Sequence, residues 1–181
     1  MASPLFPKPV KLILATLDGD EAVAAQARTR LCTAFGEIDF VSARFPFAAT
    51  DYYVREMGKP LYRQFYAFTG LISPEALPGI KMRTHALENE LAVAGKRRVN
   101  LDPGYLDTDK LVLASAKYHG NKIYLGQGIW ADMTLHYEKG KFTALPWSFP
   151  DFRSGLYEQT FLRIREVYKK QLKERAAPVP A

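Results

Sequence analysis

The apolar residues of this chain follow two different periods, and the places where the period changes divide the chain into predicted elements. Continuous or alternating apolar runs of strand length indicate strands, whereas apolar residues three or four apart indicate helices. Up to residue 102 the pattern predicts strand, helix, strand, strand, helix and strand, at residues 10–17, 21–35, 38–47, 61–72, 78–94 and 97–102. This βαββαβ order is the split pattern of ferredoxin-like folds, so we expect both helices to pack on one face of the sheet and the other face to need a cover, a partner or a ligand.

Turn and cap residues support these boundaries. Residues 18–20 supply a turn and a helix cap, and Gly95 is predicted to end the second helix. Thr50 and Asp51 are predicted to cap a short helix that runs through Met57.

Residues 61–72 fit both periods. A helix would place four apolar residues on one stripe, namely Leu61, Phe65, Phe68 and Ile72. The aromatic density and the Pro and Gly boundaries favour a strand, which is the assignment we adopt.

Beyond residue 110, short alternating runs separated by turn residues predict an antiparallel β-meander. Its strands are expected at residues 111–118, 122–125, 129–138 and 141–145. The proline-flanked connector that follows is predicted to hold Trp147 and Phe149 as a lid of core aromatics, with a stacking platform as the less favoured alternative, and Ser154 is predicted to cap a final helix. The predicted fold class is therefore α+β: a ferredoxin-like sheet extended by the meander and a C-terminal helix, in one domain with its core at residues 10–174.

The last strand of the βαββαβ unit has two chemically different faces. Alternation places Val99 and Leu101 on one side and Arg98, Asn100 and Asp102 on the other. A guanidinium, an amide and a carboxylate on one face are suited to fixing a polar ligand.

The four residues 102–105 carry a strong local turn signal. Pro103 presets the φ of a second turn position and Gly104 permits the positive φ of a third, so we predict a type II turn. Asp102 then has two open roles, as a residue that holds the turn or as a member of the polar patch.

Several segments of the chain resemble, in the same order, those of a bacterial family of similar length. The motif Asn-Leu-Asp-Pro-Gly-Tyr-Leu at residues 100–106 carries much of the likeness, together with residues 39–47, 50–53, 56–58, 123–126 and 145–151. The family is catalogued only as domain of unknown function 4416. The resemblance runs from about Lys11 to the last helix, implies a self-contained domain and brings no established activity.

Composition narrows the function only slightly. The 25 Lys and Arg residues against 19 Asp and Glu give a net charge of +6, which mildly favours anionic partners. Cys32 is the only cysteine, so a disulfide within the chain and a thiolate metal cluster are excluded. With no predicted leader or membrane-spanning run, we expect a cytoplasmic protein.

Familiar nucleotide-binding and hydrolase motifs are missing from the sequence. It contains no G-x-x-x-x-G-K-[ST] loop, no G-x-G-x-x-G after a strand and no G-x-S-x-G elbow. Asp132 and His136 share a predicted strand face but lie roughly 13 Å apart at a strand rise near 3.3 Å, too far to hold one metal ion unaided. No metal site is predicted, and no cofactor is indicated.

The candidate site combines polar residues on sheet faces and loops. Asp102 and His119 are the candidates for proton transfer. Ligand binding is assigned to Arg98, Asn100, Tyr105, Lys117, Trp130, Asp132, Asp51 and Tyr52. The alternative is purely structural: Arg98 pairs with Asp102 or Asp132 across the sheet, and His119 is an ordinary loop residue.

Three functions remain open from the sequence. The first is binding of a small phosphate- or carboxylate-bearing ligand, with or without acid–base chemistry. The second is a protein-interaction or homo-oligomeric module that uses an open sheet face or edge. The third is RNA binding, against which the absence of a glycine-bearing RNP1 pattern in residues 61–68 counts.

Overall fold

The computed structural model describes residues 3–176, and within this range it contains one nine-stranded sheet and five α-helices. The strands are β1 (Val10–Asp18), β2 (Ile38–Val41), β3 (Phe45–Pro46), β4 (Tyr62–Ile72), β5 (Val99–Leu106), β6 (Lys110–Ser115), β7 (Ile123–Gly126), β8 (Ile129–Glu138) and β9 (Lys141–Ala144). The helices are α1 (Glu21–Phe35), α2 (Val54–Met57), α3 (Leu77–Glu90), α4 (Pro150–Arg153) and α5 (Glu158–Ala176).

The sheet is antiparallel, with the strand order β2-β4-β1-β5-β6-β8-β7; β3 pairs with β4, and β9 with β8. Both crossover units are split, because β4 lies between β1 and β2, and β1 lies between β4 and β5. This is the ferredoxin-like arrangement predicted from the βαββαβ order. The α+β fold class is therefore confirmed.

Strand β1 is buried on both faces and separates two core clusters. Leu12 and Leu14 pack with residues of α1 and α3, while Ile13 and Ala15 pack with residues of α5 on the opposite face. Burial along the whole of β1 explains why its sequence is mostly apolar rather than alternating, with Lys11, Thr16 and Asp18 as buried polar exceptions. Helix α5 is thus the cover that the second sheet face required.

Two predicted boundaries in the first half are wrong. The strand expected at residues 38–47 is divided into β2 and β3, because the backbone N–H of Phe65 bonds the hydroxyl of Ser42 instead of a strand carbonyl. Helix α3 ends at Glu90 rather than at residue 94, and Ala94 and Gly95 form the turn of a small bridge between Val93 and Lys96, with φ values of 50° and 72°.

The cap predicted for the short helix is also wrong. Helix α2 begins at Val54, its N-cap Tyr53 makes no side-chain cap, and the hydroxyl of Thr50 accepts the N–H of Tyr52 before the helix starts. Asp51 is exposed and pairs with Lys59. The loop therefore turns earlier than the helix it was predicted to cap.

The type II turn predicted at residues 102–105 does not form. Strand β5 continues to Leu106, with Pro103 opposite Leu14 in β1 and Gly104 opposite Leu113 in β6. Gly104 does not have a positive φ. It is needed because a Cβ there would lie 2.3 Å from the carbonyl oxygen of Val112.

The second half forms hairpins as predicted, but their order in the sheet differs from a simple meander. Strand β6 pairs with β8, and β8 then forms hairpins with both β7 and β9. A register shift between β6 and β8 places Leu135 in the core beneath α5, whereas Met133 packs in a separate cluster with Leu77. Simple alternation along β8 would place both residues on one face, and the register shift breaks that alternation.

The connector before the last helices is not a core lid. Trp147 and Phe149 are 44% and 54% exposed, which corrects the prediction that they are buried. Ser154 lies between α4 and α5 and donates to the carbonyl of Asp151, so it ends α4 rather than capping the final helix. Helix α5 buries an apolar stripe against the sheet, with Phe161 and Ile164 fully buried.

Candidate functional site

A cleft opens where β5 and β6 separate. The two strands pair only over Gly104–Leu106 and Leu111–Leu113. Within residues 3–176, the side of β5 that faces away from β1 has no strand partner before Gly104. Unpaired backbone groups are costly when they are buried, so another element has to satisfy them.

Helix α3 takes the place of the missing strand. The ammonium of Lys81 donates to the carbonyl of Leu101 at 2.9 Å, and the carboxylate of Glu88 accepts the Leu101 N–H. Both side chains are buried, although charged groups seldom lie on the inner face of a helix. The two side chains thereby satisfy the backbone groups of Leu101 that have no strand partner.

The cleft contains a pocket of about 180 Å³. Its lining includes the basic side chains Arg63, Lys81, Arg97, Lys117 and Lys122, and the carboxylates Asp102 and Asp132. Other polar lining residues are Thr50, Tyr52, Tyr53, His85, Asn100 and Ser115. Five cations against two anions leave the lining with an excess of three positive charges.

The charged floor of the pocket consists of Arg63, Lys81, Arg97, Asn100 and Asp102, with Asp102 at its centre. Its Oδ1 accepts from Lys81 at 3.1 Å, its Oδ2 accepts from the amide of Asn100 at 2.6 Å, and Arg63 lies 3.7 Å away. Burial raises the pKa of Asp102, but the charges of Lys81 and Arg63 and the two hydrogen bonds outweigh it and hold the pKa below its usual range. Asp102 is thus an ionised acceptor that organises cations.

Arg97 fixes the other end of the floor. It donates to the Asn100 amide oxygen at 2.7 Å and to the Glu56 carboxylate at 2.7 Å. Its neighbour Arg98 was assigned to the site because strand alternation placed it on the same face as Asn100 and Asp102. In the structure Arg98 points away and pairs with Asp20 outside the pocket. The alternation failed here because β5 begins at Val99, so Arg97 and Arg98 precede the strand.

Arg63 is the least satisfied cation. It projects from β4, is 5% exposed, and lies over the Phe47 ring at 4.9 Å. Its contacts with Asp102 and Asp151 are 3.7 and 3.6 Å long, beyond hydrogen-bonding distance, and its buried Nε has no hydrogen-bond partner in the described chain. A buried guanidinium in this state retains donors for a further acceptor.

The mouth of the pocket has two polar pairs. Lys117 donates to the Tyr52 hydroxyl at 2.7 Å, and this bond and the Lys117 charge lower the pKa of Tyr52. Lys122 donates to Ser115 at 2.8 Å and lies 3.4 Å from Asp132. The bond between Lys117 and Tyr52 therefore links the loop before α2 to the segment that follows β6.

Two groups beside the floor have shifted pKa values. Burial, followed by the charge of Lys81, lowers the pKa of His85, so the imidazole is neutral at pH 7. Burial raises the pKa of Glu88 to about 7 despite its bond from Leu101 and the nearby Lys81 charge. His85 lines the pocket, whereas Glu88 lies behind it.

The structure brings together half of the predicted site residues. Five of them line the pocket, namely Tyr52, Asn100, Lys117, Asp102 and Asp132. The other five lie outside it, namely Asp51, Arg98, Tyr105, His119 and Trp130.

Those outside residues have other contacts. Tyr105 packs against the cluster around Leu77, and the Trp130 ring lies about 5 Å from those of Tyr118 and Tyr124. The His119 ring hydrogen-bonds the side chain of Asn121, whose amide donates to Asp132 at 3.2 Å. His119 therefore reaches the pocket only through a neighbour.

Sequence reasoning missed most of the cationic floor. Arg63 belongs to an aromatic strand that gave no polar signal, and Lys81 belongs to the predicted helix at residues 78–94, from which no candidate site residue was selected. One signal was present: Lys81, Thr84 and Glu88 recur at helical spacing, and all three are buried beside Leu87. Polar residues that share a helical stripe with leucine would have marked this face as a site.

Comparison with known proteins gives a family and no activity. No curated protein matches the chain, and no solved structure matches it. The family model described as Domain of unknown function (DUF4416) matches residues 8–168. In the described residues, no helix is long and apolar enough to cross a membrane. Because the match covers most of the chain, this protein belongs to the DUF4416 family.

Proposed function

We propose that the pocket binds a small ligand that carries a phosphate or carboxylate group. Arg63 carries most of the weight, because its guanidinium lines the pocket and meets Asp102 and Asp151 at ion-pair distances of 3.7 and 3.6 Å, too long for hydrogen bonds, so that it keeps donors for a further acceptor. Anions on a ligand are bound most strongly by such charge-assisted hydrogen bonds. The excess of positive charge in the lining supports the same ligand class.

Asp102 does not oppose anion binding. Both of its oxygens already accept hydrogen bonds, one from Lys81 and one from Asn100, so its charge is offset within the floor. An acid–base step would be carried by His85 rather than by Asp102 or His119. His85 lines the pocket and is neutral at pH 7, so its imidazole can accept a proton. A cytoplasmic location remains a prediction.

A thermal-shift titration with inorganic phosphate and acetate tests the proposal, with chloride at equal ionic strength as reference. An anion at about 100 times its Kd stabilises the fold by roughly 2.7 kcal/mol. Lys117→Met and Arg63→Lys should each reduce the shift. Arg98→Met is the matched control, because Arg98 is a nearby arginine outside the pocket. Equal responses to phosphate, acetate and chloride, or an equal loss in Arg98→Met, would refute the proposal.

Self-association is a second candidate, supported by strand β7. This strand lies at the end of the sheet order and exposes Ile123, Tyr124 and Leu125 in succession. An exposed apolar edge strand favours pairing with another chain. Sedimentation velocity across a range of concentrations tests it, with Ile123→Lys expected to abolish any dimer. A concentration-independent monomer would end this candidate.

RNA binding is not proposed. RNA-recognition modules stack bases on an open sheet face. In this fold α5 covers the face opposite α1 and α3, with Phe161 packed on Phe65 at a ring-centroid distance of 5.0 Å.

A further inference from the structure

The pocket has an aromatic wall as well as a cationic floor. Five rings line it, namely Phe47, Tyr52, Tyr53, Phe149 and Phe152. The inner rings are already engaged: Phe152 packs on Phe65 and Tyr157, and Phe47 packs edge-on against Tyr53 at 6.2 Å while Arg63 lies over its ring.

Phe149 differs from the other four rings. It lines the pocket, is 54% exposed, and takes part in none of the ring–ring or cation–ring contacts found among the described residues. A large exposed ring is ordinary on a protein surface when it stands alone, but here it adjoins the cationic cleft.

The backbone on both sides of Phe149 is fixed. Ser148 is buried, accepts the N–H of Leu145 at 3.1 Å and donates to the carbonyl of Thr134 at 2.6 Å. Pro150 then begins α4, and the indole N–H of Trp147 donates to the carbonyl of Met133 at 2.9 Å. The ring is therefore presented to the pocket by an anchored segment and not by a loose loop.

Tyr52 is the other exposed ring at the mouth. It is 59% exposed, and the Lys117 ammonium lies 4.1 Å from its ring centroid. A planar group that enters the pocket between exposed rings gains stacking with them, and it gains more when the rings are held in place beforehand.

We infer that the ligand carries its anionic group on a planar aromatic or heteroaromatic ring, with the ring against Phe149 and the anion at the Arg63–Lys81 floor. This inference rests on the proposed anion-binding function and narrows its ligand class. Inorganic anions and aliphatic phosphates would occupy only the floor.

Isothermal titration calorimetry with matched probes tests the inference. Phenyl phosphate and cyclohexyl phosphate have similar size and the same charge but differ in planarity, and inorganic phosphate lacks the ring. We expect phenyl phosphate to bind about tenfold more tightly than cyclohexyl phosphate, as one stacked ring supplies. Phe149→Leu should remove that preference, whereas Tyr124→Leu, which changes an exposed ring outside the pocket, should keep it.

Each outcome separates the two proposals. If the three phosphates bind equally in the unmodified protein, the ring inference is wrong while anion binding stands. If none of them binds, both proposals fail. Loss of the preference in Tyr124→Leu as well as in Phe149→Leu would also overturn the assignment to Phe149. Because Phe149 is exposed, its variant is expected to unfold at an unchanged temperature, and this checks that the site is intact.

Discussion

Glu88 is expected to make the protein less stable as the pH rises through neutrality. Its carboxyl is buried, and its pKa is raised to about 7 from an ordinary value of 4.5. Between those two values the folded state holds a proton that the unfolded state has released. The stability that this proton provides is therefore present at low pH and is lost as the pH rises towards 7.

The size of the effect follows from the two pKa values. The difference between 7 and 4.5, at 1.36 kcal/mol for each pKa unit, amounts to about 3 kcal/mol. Roughly 2–3 kcal/mol of it falls between pH 5 and pH 8. Glu88→Gln keeps an oxygen that can accept the Leu101 N–H but does not titrate, so its stability relative to the unmodified protein should rise by this amount over that interval.

Urea unfolding of both proteins at pH 5, 6, 7 and 8 measures the difference directly. Glu90→Gln serves as the control, because Glu90 is an exposed carboxylate on the same helix, and its effect should stay within about 0.5 kcal/mol at every pH. A constant difference between Glu88→Gln and the unmodified protein would refute the reasoning. So would a difference that moves in the opposite direction.

Other predictions concern packing and the mouth of the pocket. Gly104→Ala should destabilise the fold by about 3 kcal/mol, since its Cβ would meet the Val112 carbonyl at 2.3 Å; a loss below about 1 kcal/mol in urea unfolding would contradict this. Phe161→Ala, which empties a fully buried site beneath α5, should cost about 3–5 kcal/mol in the same assay, and a cost like that of a surface change would show that α5 is not a core element. Lys117→Gln should raise the pKa of Tyr52, as followed by ultraviolet titration with Tyr52→Phe as reference, and an unchanged pKa would mean that the two side chains are not bonded in solution.

The fold was largely predictable because the burial of an element determines which of its positions must carry apolar residues. Strand β1 is buried on both faces and so needed mostly apolar residues, and α5 covers one face of the sheet and so needed an apolar stripe at residues such as Phe161 and Ile164. The turn at residues 102–105 was mispredicted for the opposite reason. The local preference of Pro103-Gly104 for a turn was outweighed by pairing with β1 and β6, which are distant in sequence.

The site was predictable only where it lies on one strand. Asn100 and Asp102 share a face of β5 by simple alternation, and both line the pocket. Lys81 and Arg63 approach Asp102 from a helix and from another strand, and their meeting depends on where β5 separates from β6. No pattern within a single element records that separation.

Because β5 and β6 pair over only a few residues, the sheet consists of two parts with a weak connection between them. The ferredoxin-like half and the hairpin half are joined in the ladder by three residue pairs, Gly104–Leu106 with Leu111–Leu113, which form a narrow seam. The floor of the pocket belongs to the first half, while Ser115, Lys122 and Asp132 belong to the second. A bound molecule that contacts both halves of the sheet opposes local opening of the β5–β6 pairing. Amide hydrogen exchange at Leu111–Leu113 should therefore slow when the pocket is filled.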